Sequence, residues 1–399
     1  MPLDATGLRT QIADYATRYQ QAHQRREDRL AQLCAPLQAA FGGADELSAT
    51  CAAAARMSGL RWAGALFTAG EAINRQFPFC SEPNRYALIA ADGSQITPDR
   101  HRPFIFGYVQ AGCAGVVYGE RPHPLTDELR RLRRSQLIAE NELFDERTGE
   151  LKPPAEIANR RDLLEIELLA EACCMARDAG LQPVLVADGS LVPFALLASR
   201  VPPQEFERLL RPIKAALDVM RDCDAWVCGY IDRPNSNALV RACALAGLSP
   251  EALTERALRE REALLIEIFD RHALERTLKP GHRTALFDPN WEINAPHHLG
   301  EHAMRACYVN FGDAAHPIIA RIEAPVWCAD PPRVGALCAI LHRHAQLGGG
   351  YPLVLKAAHE EAVLSKDDQQ EIEQAIEGAL MSRGFLPQAS FKQEAKDRG

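Results

Sequence analysis

Arg85-Tyr86-Ala87-Leu88-Ile89-Ala90-Ala91-Asp92-Gly93-Ser94 and, further on, Pro183-Val184-Leu185-Val186-Ala187-Asp188-Gly189-Ser190-Leu191 decide how this chain folds. Each is an apolar run without polar interruption that ends on Asp-Gly-Ser. Runs of that length and texture predict buried strands. The glycine after each carboxylate predicts a sharp turn, because it has no Cβ to clash. If the strands are parallel neighbours, both acids leave the sheet at its carboxyl edge, where open α/β sheets place ligands. Two fixed carboxylates side by side are costly unless something positive lies between them. A divalent metal is the natural candidate.

At 399 residues the chain has room for two or three domains, or for one large domain with helical additions. Its 47% hydrophobic and 25% charged residues are ordinary for a soluble globular protein. No apolar segment reaches the roughly 18–20 residues of a membrane span. The opening Met1-Pro2-Leu3-Asp4 lacks the basic-then-apolar order of a secretory signal. The expectation is a cytoplasmic protein with no membrane contact. A formal charge of −8 argues against a surface that attracts nucleic acid everywhere, while leaving room for local cationic contacts. The twelve cysteines form no CxxC pair, Cys173-Cys174 and Cys223…Cys228 being the nearest approach. They read as free, mostly buried thiols of a reducing compartment.

Around the two strands, helical spacing from Leu8 to about Phe41 (Leu8, Ile12, Tyr15, Tyr19, Leu30, Leu33, Leu37) predicts a long helix ending near Gly42-Gly43. It either lies on the sheet or makes a dimer or partner contact. A second helical stretch is expected over Glu46 to Arg75. Residues 104–118 are β-rich and glycine-punctuated, which predicts a hairpin or meander after the first strand. Thr126 to Glu146 is expected to be a charged helix whose Arg130, Arg131, Arg133 and Arg134 form a solvated face or touch phosphate. Asn159 to Asp178 is amphipathic, with Leu163, Leu164, Ile166, Leu168, Leu169 and Ala172 on its apolar side. Such a helix returning to a parallel strand is the usual crossover. Its early turns then lie level with Asp188, so Glu165, Glu167 and Glu171 are all candidates for a third carboxylate. Glu165 and Glu167, two apart, cannot share a face.

Beyond lie a helix over Pro203 to Arg221, a strand over Ala225 to Ile231, and a charged helix over Leu253 to Asp270. Strands are expected at Thr284–Phe287, Ala306–Phe311 and Pro317–Glu323. The last two alternate, which predicts one face exposed or covered by a helix. A helix over Pro331 to Gln346 precedes Tyr351 and the His359 segment. A last helix over Lys366 to Arg383 leads to a loose polar tail. Asp92, a helical Glu, Asp188 and His359 make an oxygen-rich set with one imidazole. Carboxylates suit Mg²⁺, and the imidazole shifts the balance toward Mn²⁺. Such a site suits in-line displacement at a phosphodiester.

In order, Ala87–Ser94, the helix with Arg161-Asp162-Leu163-Leu164-Glu165, Val184–Leu191, Gly229-Tyr230-Ile231 and Gly350-Tyr351-Pro352…Ala358-His359-Glu360 resemble the motifs of the NurA nuclease family, over roughly residues 85–365. The resemblance implies an α/β fold with an RNase H-like mixed sheet flanked by helices. An N-terminal helical extension (1–80) would precede it, and a C-terminal helix and tail (366–399) would follow. The implied activity is metal-dependent cleavage of single- and double-stranded DNA from the 5′ end, with endonuclease activity on single strands. Mn²⁺, or Mg²⁺, would be the cofactor. The implied partners are a second copy and a HerA-type hexameric ATPase, in DNA end resection and double-strand break repair. Carried onto this chain, Asp92, Glu165, Asp188 and His359 would hold metal, and Tyr351 would position substrate or water. Glu165 is chosen because it completes Arg-x-x-x-Glu; Glu171, at a shorter spacing from Asp188, is the alternative.

Two readings compete. Actin-like and sugar-kinase ATPases also place acidic Gly turns at strand ends, but with Asp-x-Gly and further glycines around the phosphate. Here Gly follows Asp directly. A catalytically inactive scaffold for an ATPase partner is the other, and it would gain nothing from an intact set of acids.

Overall fold

The computed structural model describes residues 5–42, 44–58, 62–100, 102, 104–119, 123–145, 148–191, 203–294 and 298–385. The polar tail expected at the C-terminus lies outside the described residues. By their internal contacts the residues divide into two units, Met1–Phe79 with Asp232–Asn294 and Met304–Ile322, and Cys80–Ile231 with Ala295–Ala303 and Glu323–Gly399.

The second unit carries both Asp-Gly-Ser strands. Its sheet is built from β1 (Tyr86–Ile96), β2 (Gly107–Tyr118), β3 (Arg133–Ile138), β4 (Gln182–Asp188) and β5 (Trp226–Asp232), in the order β5-β4-β1-β2-β3. β1 runs parallel to β4 from Tyr86↔Gln182 to Ala91↔Ala187, and β4 runs parallel to β5 from Val184↔Trp226 to Asp188↔Tyr230. β2 is antiparallel to β1 and to β3. One central strand, an antiparallel pair on one side and parallel strands on the other is the RNase H-like mixed sheet. Tyr86–Ala91 and Val184–Val186 are buried, as parallel strands covered on both faces must be.

The covers can be located from the glycines. Opposed residues of an antiparallel pair point to the same face, and successive residues alternate. Asp92 opposes Gly112, and Gly93 opposes Ala111. A Cβ on Gly112 would strike the backbone of Glu361 and Ala362, whereas one on Gly93 would strike Arg161 and Glu165. The helix Leu353–Ala362 therefore covers one face and the helix Pro154–Asp178 the other. The second of these turns Ile166, Leu168, Leu169, Ala172 and Ala176 inward, and Gly180, at φ +67°, releases the chain toward β4.

Among its described residues the other unit holds two apolar clusters. Leu47, Cys51, Trp62, Phe287 and Tyr308 belong to one, while Leu30 and Leu33 of the helix Ala5–Gly42 join Val240, Leu265 and Ile268 in the other. Nearer its N-terminus the same helix exposes Leu8, Ile12, Tyr15 and Tyr19.

Several expectations are corrected. The first Asp-Gly-Ser is not a turn: β1 continues to Ile96 with Gly93 paired to Ala111, so Gly93 serves close approach instead. Only the second ends its strand, with Gly189 at φ +88°. In place of one charged helix over 126–146 there are a helix Leu125–Arg131, the edge strand β3 and a short helix Glu140–Leu143. Its exposed residues hid a strand whose pairing to β2 is all backbone. The helix expected over 46–75 stops at Ser58. The one expected over 253–270 ends at Ala263, with another starting at Asp270. In place of the strand expected at 284–287 there are two-residue strands, His282–Arg283 and Asp288–Pro289. The strands expected near 306 and 317 lie at Met304–Asn310 and Ile319–Pro325 and are buried almost throughout, which agrees with the covered rather than the exposed alternative.

Candidate active site

The parallel ladder between β1 and β4 runs to Ala91↔Ala187, so Asp92 and Asp188 occupy the next register position on adjacent strands. Strands so paired lie about 4.8 Å apart. Both carboxylates meet groups carried by the segment around the helix Leu353–Ala362. Asp92 Oδ2 lies 2.7 Å from His359 Nδ1, and its Oδ1 accepts from the Gly93 amide at 2.8 Å. Asp188 accepts the Tyr351 hydroxyl. The Tyr351 ring packs edge-on against Tyr230, with centroids 5.5 Å apart. Burial first, then Asp188, Tyr230 and Asp92, push the Tyr351 hydroxyl well above its ordinary range, so it stays a neutral donor.

Local sequence explains why this helix arrives where it does. Gly112, opposite Asp92, lets the helix end settle on β2: a Cβ there would come within 2.6 Å of the Glu361 carbonyl oxygen. Gln110 donates to the Ala362 carbonyl at 2.7 Å, Ser94 accepts the Leu364 amide at 3.3 Å, and Arg133 pairs with Glu361. The serine of the first Asp-Gly-Ser thus anchors the element that bears His359. The serine of the second, Ser190, bonds the buried Glu323. Gly229 performs the matching service beside Asp188, since a Cβ would lie 2.5 Å from the Gly189 carbonyl, and Gly189 donates to the Tyr230 carbonyl at 2.7 Å.

Glu165 comes from the opposite face. It lies over Gly93, whose Cβ position is 2.4 Å from Glu165 Oε1, and it pairs with Arg161 Nε at 3.0 Å. Arg161 also binds Asp162 at 2.7 Å. Burial pushes the Glu165 carboxyl up to about 8, opposed by Arg161 and reinforced by Asp162, Asp92 and Asp188. The other two helical acids are engaged elsewhere: Arg134 holds Glu171 at 2.7 Å and Glu167 at 3.3 Å. Of the three candidates, Glu165 is the one seated over the first Asp-Gly-Ser.

Among the described residues no three of His, Cys, Asp and Glu converge on one point. Asp92 turns to His359, Asp188 to Tyr351 and Glu165 to Arg161. In kind the set suits a hard divalent cation. The repulsion that Asp92 and Asp188 exert on Glu165 is the strain such a cation relieves. Arg161, Gly112 and the two serines carry no functional expectation from sequence. An arginine one helical turn before a buried glutamate was the available signal for the first.

The NurA domain family matches residues 86–364. A crystal structure of the NurA nuclease from Sulfolobus solfataricus superposes at a TM-score of 0.50 and 14% identity, covering 77% of this chain and 88% of that one. The catalytic domain of human endonuclease V gives a TM-score of 0.29 at 14% identity over 82% of this chain and 96% of that one. Argonaute from A. aeolicus gives 0.27 at 12% identity over 70% and 28%. No curated protein matches the chain.

Proposed function

The chain belongs to the NurA domain family, and from that premise we propose that it is a metal-dependent DNA nuclease with its active centre at Asp92, Glu165, Asp188, Tyr351 and His359. The observation that carries this reading is that Asp92 and Asp188 follow directly on the last pair of the parallel β1–β4 ladder, with Glu165 seated over Gly93, the next residue of β1. A phosphodiester resists attack because its own charge repels nucleophiles, so the site must supply positive charge and orient a water.

Asp92, Glu165, Asp188 and His359 would hold the cation. Bound there, a divalent metal neutralises phosphate charge and lowers the pKa of water. The chain's own groups do the rest. Asp92 orients the His359 ring through its contact with Nδ1. Tyr351, a donor at every physiological pH, fixes the Asp188 carboxylate. Arg161 holds Glu165 and places a permanent charge beside it, where a phosphate oxygen would approach.

In finer detail the reading is Mn²⁺ (or Mg²⁺) dependence, 5′-to-3′ removal of nucleotides from single- and double-stranded ends, and internal cuts in single strands. The enzyme would work as a homodimer with a HerA-type hexameric ATPase in end resection. These follow from the family resemblance. No described helix is long and apolar enough to cross a membrane. The test is a metal-by-substrate panel on the purified protein with end-labelled single- and double-stranded DNA. Mn²⁺-dependent loss of label that vanishes in Asp92→Asn and Asp188→Asn supports the reading. Nucleotide binding without cleavage under any metal would replace it with the ATPase-like alternative.

A further inference from the structure

We propose that Cys174 and Cys223 form a thiol pair that a hydroperoxide oxidises to a reversible intramolecular disulfide. No described cysteine is in a disulfide, and most are sealed in the core. Cys223 belongs to that buried set, at its margin, whereas Cys174 does not. Cys174, half-buried near the end of the helix Pro154–Asp178, has its Sγ 3.9 Å from that of Cys223, which follows the helix Pro203–Asp222. Arg177 sits on the pair, its Nη1 donating to Cys223 Sγ at 3.6 Å and to the Asp222 carbonyl at 2.9 Å. A guanidinium held against a thiol by a second bond is a built counter-charge for the thiolate, the species that reacts. Burial raises the Cys174 thiol, as it does those of Cys113 and Cys243, but at Cys174 the charge of Arg177 opposes it. Cys173 also neighbours Cys223, but its side chain is fully buried.

The Cys223 thiolate attacks the terminal oxygen of the hydroperoxide, the O–O bond breaks, and the alkoxide or hydroxide leaves with a proton from water. The sulfur, oxidised by two electrons, is then a sulfenic acid. Cys174, its proton released to solvent, attacks that sulfur, and hydroxide departs and is protonated to water. In sum, two thiols and one hydroperoxide give a disulfide, one alcohol (water when the oxidant is hydrogen peroxide) and one water. Forming the bond brings the two sulfurs from 3.9 Å to about 2.05 Å. The bridge closes a loop of 49 residues that contains β4 and Asp188. It also staples the far end of the helix bearing Arg161 and Glu165.

The test treats the reduced full-length protein with hydrogen peroxide, then trypsin, then mass spectrometry without reductant. Cleavage yields peptides 162–177 and 222–241, since the Arg233–Pro234 bond resists trypsin. Cys174 lies in the first peptide and Cys223 in the second. The expected result is these two peptides linked, and separated by dithiothreitol. The link should be absent in Cys174→Ser and in Cys223→Ser and kept in Cys173→Ser. The oxidised protein should melt above the reduced one. Arg177→Gln should slow the loss of free thiols several-fold. Oxidation of the exposed Cys80 without the linked peptide would overturn the proposal. So would a link that survives Cys174→Ser. Should a serine variant fail to fold, isotope-coded alkylation of the wild-type protein shows which thiols are lost on oxidation and decides between the same two outcomes.

Discussion

Gly112→Ala tests how the fold delivers His359 to Asp92. The added Cβ would lie 2.6 Å from the Glu361 carbonyl oxygen, 2.7 Å from its carbon and 3.0 Å from the Ala362 nitrogen. These are backbone atoms at the end of the helix Leu353–Ala362, so no side-chain rotation relieves the clash. Ordinary contact begins at 3.4 Å, and the helix end must therefore withdraw by about 0.8 Å (3.4 less 2.6). Overpacking of this kind costs about 1–3 kcal/mol. The same shift carries His359 from its 2.7 Å bond with Asp92 toward the limit of hydrogen bonding. A displacement on the order of 1 Å in a catalytic array lowers rates about 100-fold. The variant should melt several degrees lower and cleave one to two orders of magnitude more slowly. Its DNA affinity should change little. Hydrogen exchange at Leu364, whose amide is held by Ser94, should accelerate. Wild-type melting together with wild-type cleavage would refute the claim that Gly112 seats this helix.

Further outcomes can be measured independently. Gly93→Ala should leave the sheet intact and push aside Glu165 and Arg161, whose side chains lie 2.4 and 2.6 Å from the new Cβ, so cleavage should fall with little loss of melting temperature. Tyr351→Phe removes the donor to Asp188 and should slow cleavage about tenfold, equivalent to one net hydrogen bond of about 1.4 kcal/mol; an unchanged rate would dismiss the hydroxyl from the site. Without added metal, Glu165 should destabilise the fold as pH rises from 4.5 through about 8, because its folded carboxyl holds the proton more tightly than the unfolded one. Glu165→Gln should accordingly gain stability relative to wild type between pH 5 and pH 9, and a flat difference would mean Glu165 ionises freely. Affinity for DNA should fall steeply with salt if several Arg or Lys touch phosphates, whereas a flat response would point to delivery by a partner.

The central sheet was readable because its two parallel strands are unbroken apolar runs, and Tyr86–Ala91 and Val184–Val186 have no polar side to blur the period. The crossover helix announced itself by spacing and by Gly180. What failed has physical causes. Asp-Gly-Ser reads as a turn wherever it occurs, yet Gly93 stays in β1 because an antiparallel neighbour extends the ladder past the end of β4. β3 carries exposed residues from Arg133 to Leu137, so no apolar pattern separates it from the helix before it. Which glutamate lies over the first Asp-Gly-Ser depends on the absence of a Cβ at Gly93, a tertiary fact without trace in the helix's own sequence. Gly112 had no signal at all, because its partner is the backbone of residues 361–362, far along the chain.

Calorimetric titration of Mn²⁺ into the metal-free protein bears most directly on the claim that Asp92, Glu165 and Asp188 share a cation. Saturable binding that disappears in Asp92→Asn and in Asp188→Asn, with both variants melting like wild type, is the predicted result. Undiminished Mn²⁺ binding in both variants would contradict it.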